Sequence, residues 1–127
     1  MKTITSSQLP QPGGHYSQGV VSGNFLFVSG QLPFDPGSGV IPHGIEAQFV
    51  QAMTNVEAVL HAAGATLASL VNVQIFISDV EYWPIVNMHY AQLLGAHRPA
   101  RAIVPCGHLH YGALVEITAV AELVKTE

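Results

Sequence analysis

Arg101 and Glu116 are the two side chains whose type and setting point most directly to chemistry. Only four of the 127 residues are Lys or Arg. Lys2 and Lys125 lie near the termini, so Arg98 and Arg101 are the cations of the body. Arg101 opens the apolar run Arg101-Ala102-Ile103-Val104-Pro105-Cys106, which reads as a buried strand. A guanidinium there is costly to desolvate unless it is paired or has a task. Two readings stand side by side. One is a strand-end arginine whose head reaches water along its aliphatic stem. The other is a planar fork held for a carboxylate, the group its parallel N–H donors fit best. Glu116 interrupts an apolar segment between Val115 and Ile117. Such a carboxylate is either ion-paired for structure or kept for proton transfer. A tight hairpin between the last two strands would bring it near Arg101. That pairing would hold the glutamate ionised in a semi-apolar site, ready to act as a base on water.

Other chemistries find less support. The chain has seven histidines. His108 and His110 share a strand face, but no acidic or cysteine ligand lies at supporting spacing, and His15, His43, His61, His89 and His97 are scattered. No metal is expected. Cys106, between Pro105 and Gly107, lacks a neighbouring cation to stabilise a thiolate and reads as a small buried side chain. The pair Gly13-Gly14 leads into a strand rather than a helix N-terminus, so it is not a nucleotide cradle.

The elements that must position these groups follow from periodicity and turn residues. Residues 3–5 read as a short strand. Apolar strands are expected near 17–22 and 25–30 around the turn Ser22-Gly23-Asn24, and Pro33, Pro36, Gly37, Gly39 and Pro42 mark an irregular connection. From 45 to 63 the spacing becomes helical, with Phe49, Met53, Val56, Leu60 and Ala63 on one face and Gly64 as the stop. Residues 70–78 read as a strand in which Val71, Val73, Ile75 and Ile77 alternate with Asn72, Gln74, Phe76 and Ser78. A second helix spans about 82–94, with Pro84 in its first turn, a stripe of Trp83, Val86, Tyr90 and Leu93 or Leu94, and Gly95 at its end. Two more strands, 101–108 and 113–123, join around His110-Tyr111-Gly112. Two helices cannot cover both faces of so many strands, so they should pack on one face of a mixed sheet.

Bulk composition narrows the partners. The length fits one domain, 1–127, with a real core. Charged residues are 9% of the chain and hydrophobic ones 49%, against about 25% charged in an ordinary soluble domain. Part of so apolar a surface is expected to face other subunits. The formal net charge is −4, without a basic cluster, which argues against nucleic acid as the main partner. One cysteine excludes an internal disulfide framework and suits a reducing compartment. The N-terminal Met1-Lys2-Thr3-Ile4-Thr5-Ser6 lacks a signal-peptide apolar core, and no run approaches membrane-spanning length. A soluble cytoplasmic protein is the expectation.

Tyr16-Ser17-Gln18-Gly19, Val28-Ser29-Gly30-Gln31-Leu32-Pro33, Asn55 with Ala62-Ala63-Gly64, Val86-Asn87, Pro99-Ala100-Arg101 and Val115-Glu116-Ile117 occur in that order. The series resembles the Rid family of reactive-intermediate (enamine/imine) deaminases, also called YjgF-like or L-PSP-type, over nearly the whole chain. The resemblance implies a chorismate-mutase-like α+β fold, a homotrimer, and active sites in the clefts between subunits. It also implies hydrolysis of 2-imino acids, such as the tautomer of 2-aminoacrylate, to 2-keto acids and ammonia, with no cofactor in the deaminase itself. Carried over residue by residue, Arg101 matches the grip on the substrate carboxylate and Glu116 the group that positions or activates water. Tyr16, Ser29 and Asn87 match residues lining the same cleft. Read without the family, these three are a packed loop aromatic, a strand-end hydroxyl and a helix-face amide.

Three positions depart from the family pattern. Ile103 stands where many relatives carry cysteine, and His15 where many carry proline, placing a titratable group at the expected pocket mouth. The segment His108-Leu109-His110-Tyr111-Gly112 lacks the usual proline. Two alternatives remain from other classes: a non-catalytic small-carboxylate-binding or chaperone-like protein, and an endoribonuclease, for which the acidic chain lacks phosphate-binding charge.

Overall fold

The computed structural model describes residues 1–124. Six strands form one mixed sheet, and two helices pack on one of its faces. The strands are β1 (Lys2–Ile4), β2 (Gly19–Ser22), β3 (Phe25–Gln31), β4 (Leu70–Ile77), β5 (Ala100–Pro105) and β6 (Val115–Glu122); the helices are α1 (Ile45–Ala62) and α2 (Trp83–Leu94). The spatial order is β1-β2-β3-β6-β4-β5. All pairs are antiparallel except β4 with β5. That exception follows from connectivity, because a strand reached through a crossover helix returns parallel to the strand it left.

The core lies between the sheet and α1. Phe49, Met53, Val56 and Leu60 are buried on the predicted stripe of α1, against Leu26 and Val28 of β3, Val73, Ile75 and Ile77 of β4, and Val115 and Ile117 of β6. Gly64, at φ 78°, ends α1 as expected. The Gly64 N–H donates to His61 O and the Ala65 N–H to Leu60 O, the paired bonds of a left-handed helix stop. Buried amides tie the loops to this frame. Asn55 donates to the carbonyls of Leu32 and Phe34, both at 2.9 Å, and Gln48 accepts from the Leu114 N–H at 2.8 Å.

Several expectations need correction. The strand after α2 is not buried: β5 is an edge strand with half-buried and exposed residues only, and Val104 is 38% exposed. It ends at Pro105 rather than 108, and β6 begins at Val115 rather than 113, because a short 3-10 turn at His110–Gly112 takes up the joint. Val71 does not join the buried set. The β4–β6 register shifts between Leu70 and Asn72, so Val71 is the extra residue of a bulge and points outward. On α2 only Val86 and Tyr90 are buried, while Trp83 and Leu93 are each 40% exposed. Cys106 is exposed, not buried. The smaller shifts are of one or two residues: β1 starts at Lys2 and β2 at Gly19.

Candidate active site

Pairing register fixes where the predicted residues point. Arg101 sits opposite Val73, and Val73 opposite Ala119, a row whose partners are buried toward the helices. Glu116 sits opposite Phe76, and Phe76 opposite Val104, on the face without helices. Arg101 and Glu116 therefore project from opposite faces. They lie two strands and three rows apart, roughly 14 Å between α-carbons at normal sheet spacings. The expected hairpin pair does not form, because β4 lies between β5 and β6. Among the described residues the only close approach of a basic to an acidic side chain is His89 Nε2 to Glu46 Oε2, at 3.7 Å.

Around Arg101 the chain builds a cationic half-site. The crossover from β4 through α2 lays the helix over the start of β5. Arg101 Nη1 donates to Asn87 Oδ1 at 2.8 Å. The guanidinium carbon lies 5.0 Å from the Tyr90 ring centre and 5.9 Å from that of Trp83, within cation–π range. One of five guanidinium N–H donors is committed to Asn87, and the fork has no carboxylate partner among the described residues. A cavity of about 470 Å³ opens here, lined by Asn87, Tyr90, His97, Arg98 and Arg101 among others. Both cations of the body thus line one cavity whose lining, among the described residues, includes no Asp or Glu. Burial pushes the Tyr90 phenol above its ordinary value, and the nearby Arg101 charge offsets this only in part. Its hydroxyl is buried without a partner among the described residues.

The other predicted residues gather at the far end of the sheet. The Ser29 hydroxyl donates to Ser17 O at 2.6 Å and the Ser29 N–H to Gln18 O at 3.0 Å, fixing the Tyr16 loop against β3. The Ser29 hydroxyl proton is thereby committed to the loop, while its oxygen can still accept. Glu116 is half-buried, with no hydrogen bond or ion pair among the described residues. Its carboxylate crosses over Gly30: a Cβ at that position would stand 2.7 Å from Glu116 Oε2. Gly30 and Tyr16 line a second cavity, of about 240 Å³, with Phe34 and Tyr111. His15 is exposed and not among its lining residues.

Arg101 and Asn87 are thus brought together, Tyr16, Ser29 and Glu116 form a second group, and one chain does not join the two. The residue reading missed Trp83 and Tyr90 as walls for Arg101, Gly30 as the gap that admits Glu116, and Tyr111. A glycine inside a strand was the available signal for close approach. Among the described residues, no group of three or more His, Cys, Asp and Glu could hold a metal ion, and no helix is long and apolar enough to cross a membrane.

Comparison with known proteins adds a consistent picture. The family described as Endoribonuclease L-PSP matches residues 6–123. A RutC family protein of Pyrococcus horikoshii is 38% identical over 121 residues, covering 94% of this chain and 96% of that one. The 2-iminobutanoate/2-iminopropanoate deaminase of Escherichia coli is 35% identical over 123 residues, covering 94% and 96%. Among solved structures, RidA of an Antarctic Psychrobacter superposes with a TM-score of 0.92 at 33% identity, covering 97% of this chain and all 100% of that one. E. coli TdcF with bound serine gives 0.92 at 31% identity, covering 98% and 100%.

Proposed function

We propose, from the premise that the chain belongs to the Rid (YjgF-like, L-PSP-type) family, that it hydrolyses reactive 2-imino acids to 2-keto acids and ammonia. The observation that carries the reading is the pair of complementary half-sites. One presents an unpaired guanidinium in a walled cavity. The other presents a carboxylate without a partner among the described residues, lying against Gly30, which lines a second cavity. A 2-imino acid needs both: a fork for its carboxylate and a base for the attacking water. Since one chain points them to opposite faces, the site is completed between copies in a homotrimer. The apolar face opposite the helices, with Phe27 48% exposed, supplies the contact.

In this mechanism Arg101 binds the substrate carboxylate through two N–H donors, held in plane by Asn87 and the flanking rings. Glu116 of a neighbouring copy takes a proton from water as the oxygen attacks the imine carbon. That proton passes to nitrogen to give a carbinolamine. The remaining hydroxyl proton is then relayed by Glu116 to nitrogen as the C=O bond forms and the C–N bond breaks, and ammonia leaves behind the 2-keto acid. The imine carbon is already electrophilic beside a carboxylate, so orientation and a placed water supply most of what is needed. No cofactor takes part. The bound serine of TdcF supports a small amino-acid-like ligand, and the single cysteine and low charge suit a cytoplasmic setting.

The test couples a pyridoxal-phosphate dehydratase, which releases 2-aminoacrylate, to detection of keto acid. Adding the protein should speed keto-acid release in proportion to its concentration. Release at the uncatalysed rate at every concentration would overturn the reading. So would RNA cleavage that persists in Arg101→Ala as the only activity.

A further inference from the structure

We infer that Tyr111 makes the Glu116-side cavity selective for 2-imino acids with aromatic or bulky apolar side chains. The reaction rests on the function proposed above, while the binding preference does not. Tyr111 adopts φ 60° and ψ 25°, and among the described residues it is the only non-glycine at positive φ. A side chain kept in that region, with no glycine substituted, is a pointer to use rather than to packing. Here the strained backbone aims a ring that stays 77% exposed, so burial does not account for it. The Tyr111 ring meets Phe34 edge-on, with centres 5.2 Å apart, and both line the cavity with Tyr16, Leu9, Pro10 and Leu32.

Three features define what this cavity takes. Among the described residues no charged side chain lines it, so a second anionic group finds no partner among them. Of its four amides, Gln18 and Asn55 bond to the loops that form its walls and Gln31 bonds to Ser29 O of β3, which leaves Gln11 as the one without such a bond among the described residues. Its volume of about 240 Å³ exceeds the roughly 150 Å³ in which an apolar cavity holds benzene. An aromatic side chain there would meet the edges and faces of three rings, the arrangement aromatic pairs favour. Gly30 lines the cavity, and the Glu116 carboxylate, which is not itself among the lining residues, lies against that same glycine; a side chain lodged in the cavity directs its imine carbon past Gly30 toward the base. Water addition and ammonia loss proceed as above; only the selection of the side chain changes.

The test uses Tyr111→Gly and Tyr111→Asn, whose residues tolerate this backbone region, so neither should melt below the wild type. Imines made in situ by an amino-acid oxidase from phenylalanine and from alanine are compared as a ratio of kcat/KM. In the wild type that ratio should favour the phenylalanine product, and both variants should lower it about tenfold, the scale of losing one aromatic partner. In parallel, calorimetry measures phenylpyruvate against pyruvate, and the affinity ratio should fall by the same factor. An unchanged ratio in both measurements overturns the inference while leaving imine hydrolysis intact. If neither imine is turned over, a lowered phenylpyruvate-to-pyruvate ratio upholds the selectivity and removes only the reaction, whereas an unchanged one removes both.

Discussion

In the proposed reaction the substrate carboxylate is met by Arg101, whose guanidinium has one neutral partner and no carboxylate among the described residues. Arg101→Ala should abolish capture of small 2-keto and 2-imino acids. Arg101→Lys should restore little, since an ammonium cannot reproduce the planar fork; titration with pyruvate reads both. Glu116→Gln should keep the fold and most carboxylate affinity while turnover falls roughly 10²–10⁴-fold, the scale of losing a general base. A melting temperature equal to wild type is expected as well, because among the described residues Glu116 has no cation to leave unpaired. Gly30→Ala tests the same carboxylate from behind. Its methyl would displace the Glu116 head, a flexible group, so turnover should drop while the protein stays folded. Arg101 and Glu116 were legible because charge is so scarce in this sequence that each interior charge asks for a reason. Gly30 offered only the general signal of a glycine inside a strand and Tyr111 none, since their particular roles exist only once the β3–β6 register and the cavity are known.

Element types were legible from periodicity, and what failed was adjacency. A sequence reader pairs consecutive strands, and β5 and β6 are consecutive. The parallel crossover through α2 instead puts β5 outside β4 and leaves β6 to fill the centre. That one insertion separates Arg101 from Glu116 and turns the expected buried strand into an edge. It also explains the α2 stripe: near the sheet edge only Val86 and Tyr90 reach the core, while Trp83 lies within cation–π range of Arg101. Tyr90 gives this element a pH signature. Burial raises its phenol above 10.0, so the folded chain holds that proton more tightly than the unfolded one. The resulting stability is present in full below pH 10.0 and is lost as pH rises through the higher folded value. Denaturant titrations between about pH 9 and 11 should therefore show a smaller alkaline loss for Tyr90→Phe than for wild type. At neutral pH Tyr90→Phe should keep wild-type stability, because the hydroxyl has no partner among the described residues to lose.

At the scale of the molecule, a chain with 9% charged residues has few means to keep a sheet face in water. Opposite the helices, the paired row of Val20, Phe27 and Val120 shares its face with the row of Glu116, Phe76 and Val104, with Thr118, Gln74 and Ala102 between them. Phe27 and Val104 are 48% and 38% exposed. Covering this face with further copies removes apolar area from water and brings a Glu116 surface toward another copy's β5 edge. Light scattering at micromolar concentration should report about three times 13.5 kDa, and a stable monomer would remove the shared site. The most direct measurement mixes two inactive proteins, Arg101→Ala and Glu116→Gln, and reassembles them together. If each site takes its fork from one copy and its base from the next, every mixed trimer regains one intact site. Random equal mixing should then restore about a quarter of wild-type imine hydrolysis, because about three-quarters of the trimers are mixed and each holds one good site in three. Activity that stays at the level of the separate variants, although mixed trimers are shown to form, would contradict the account.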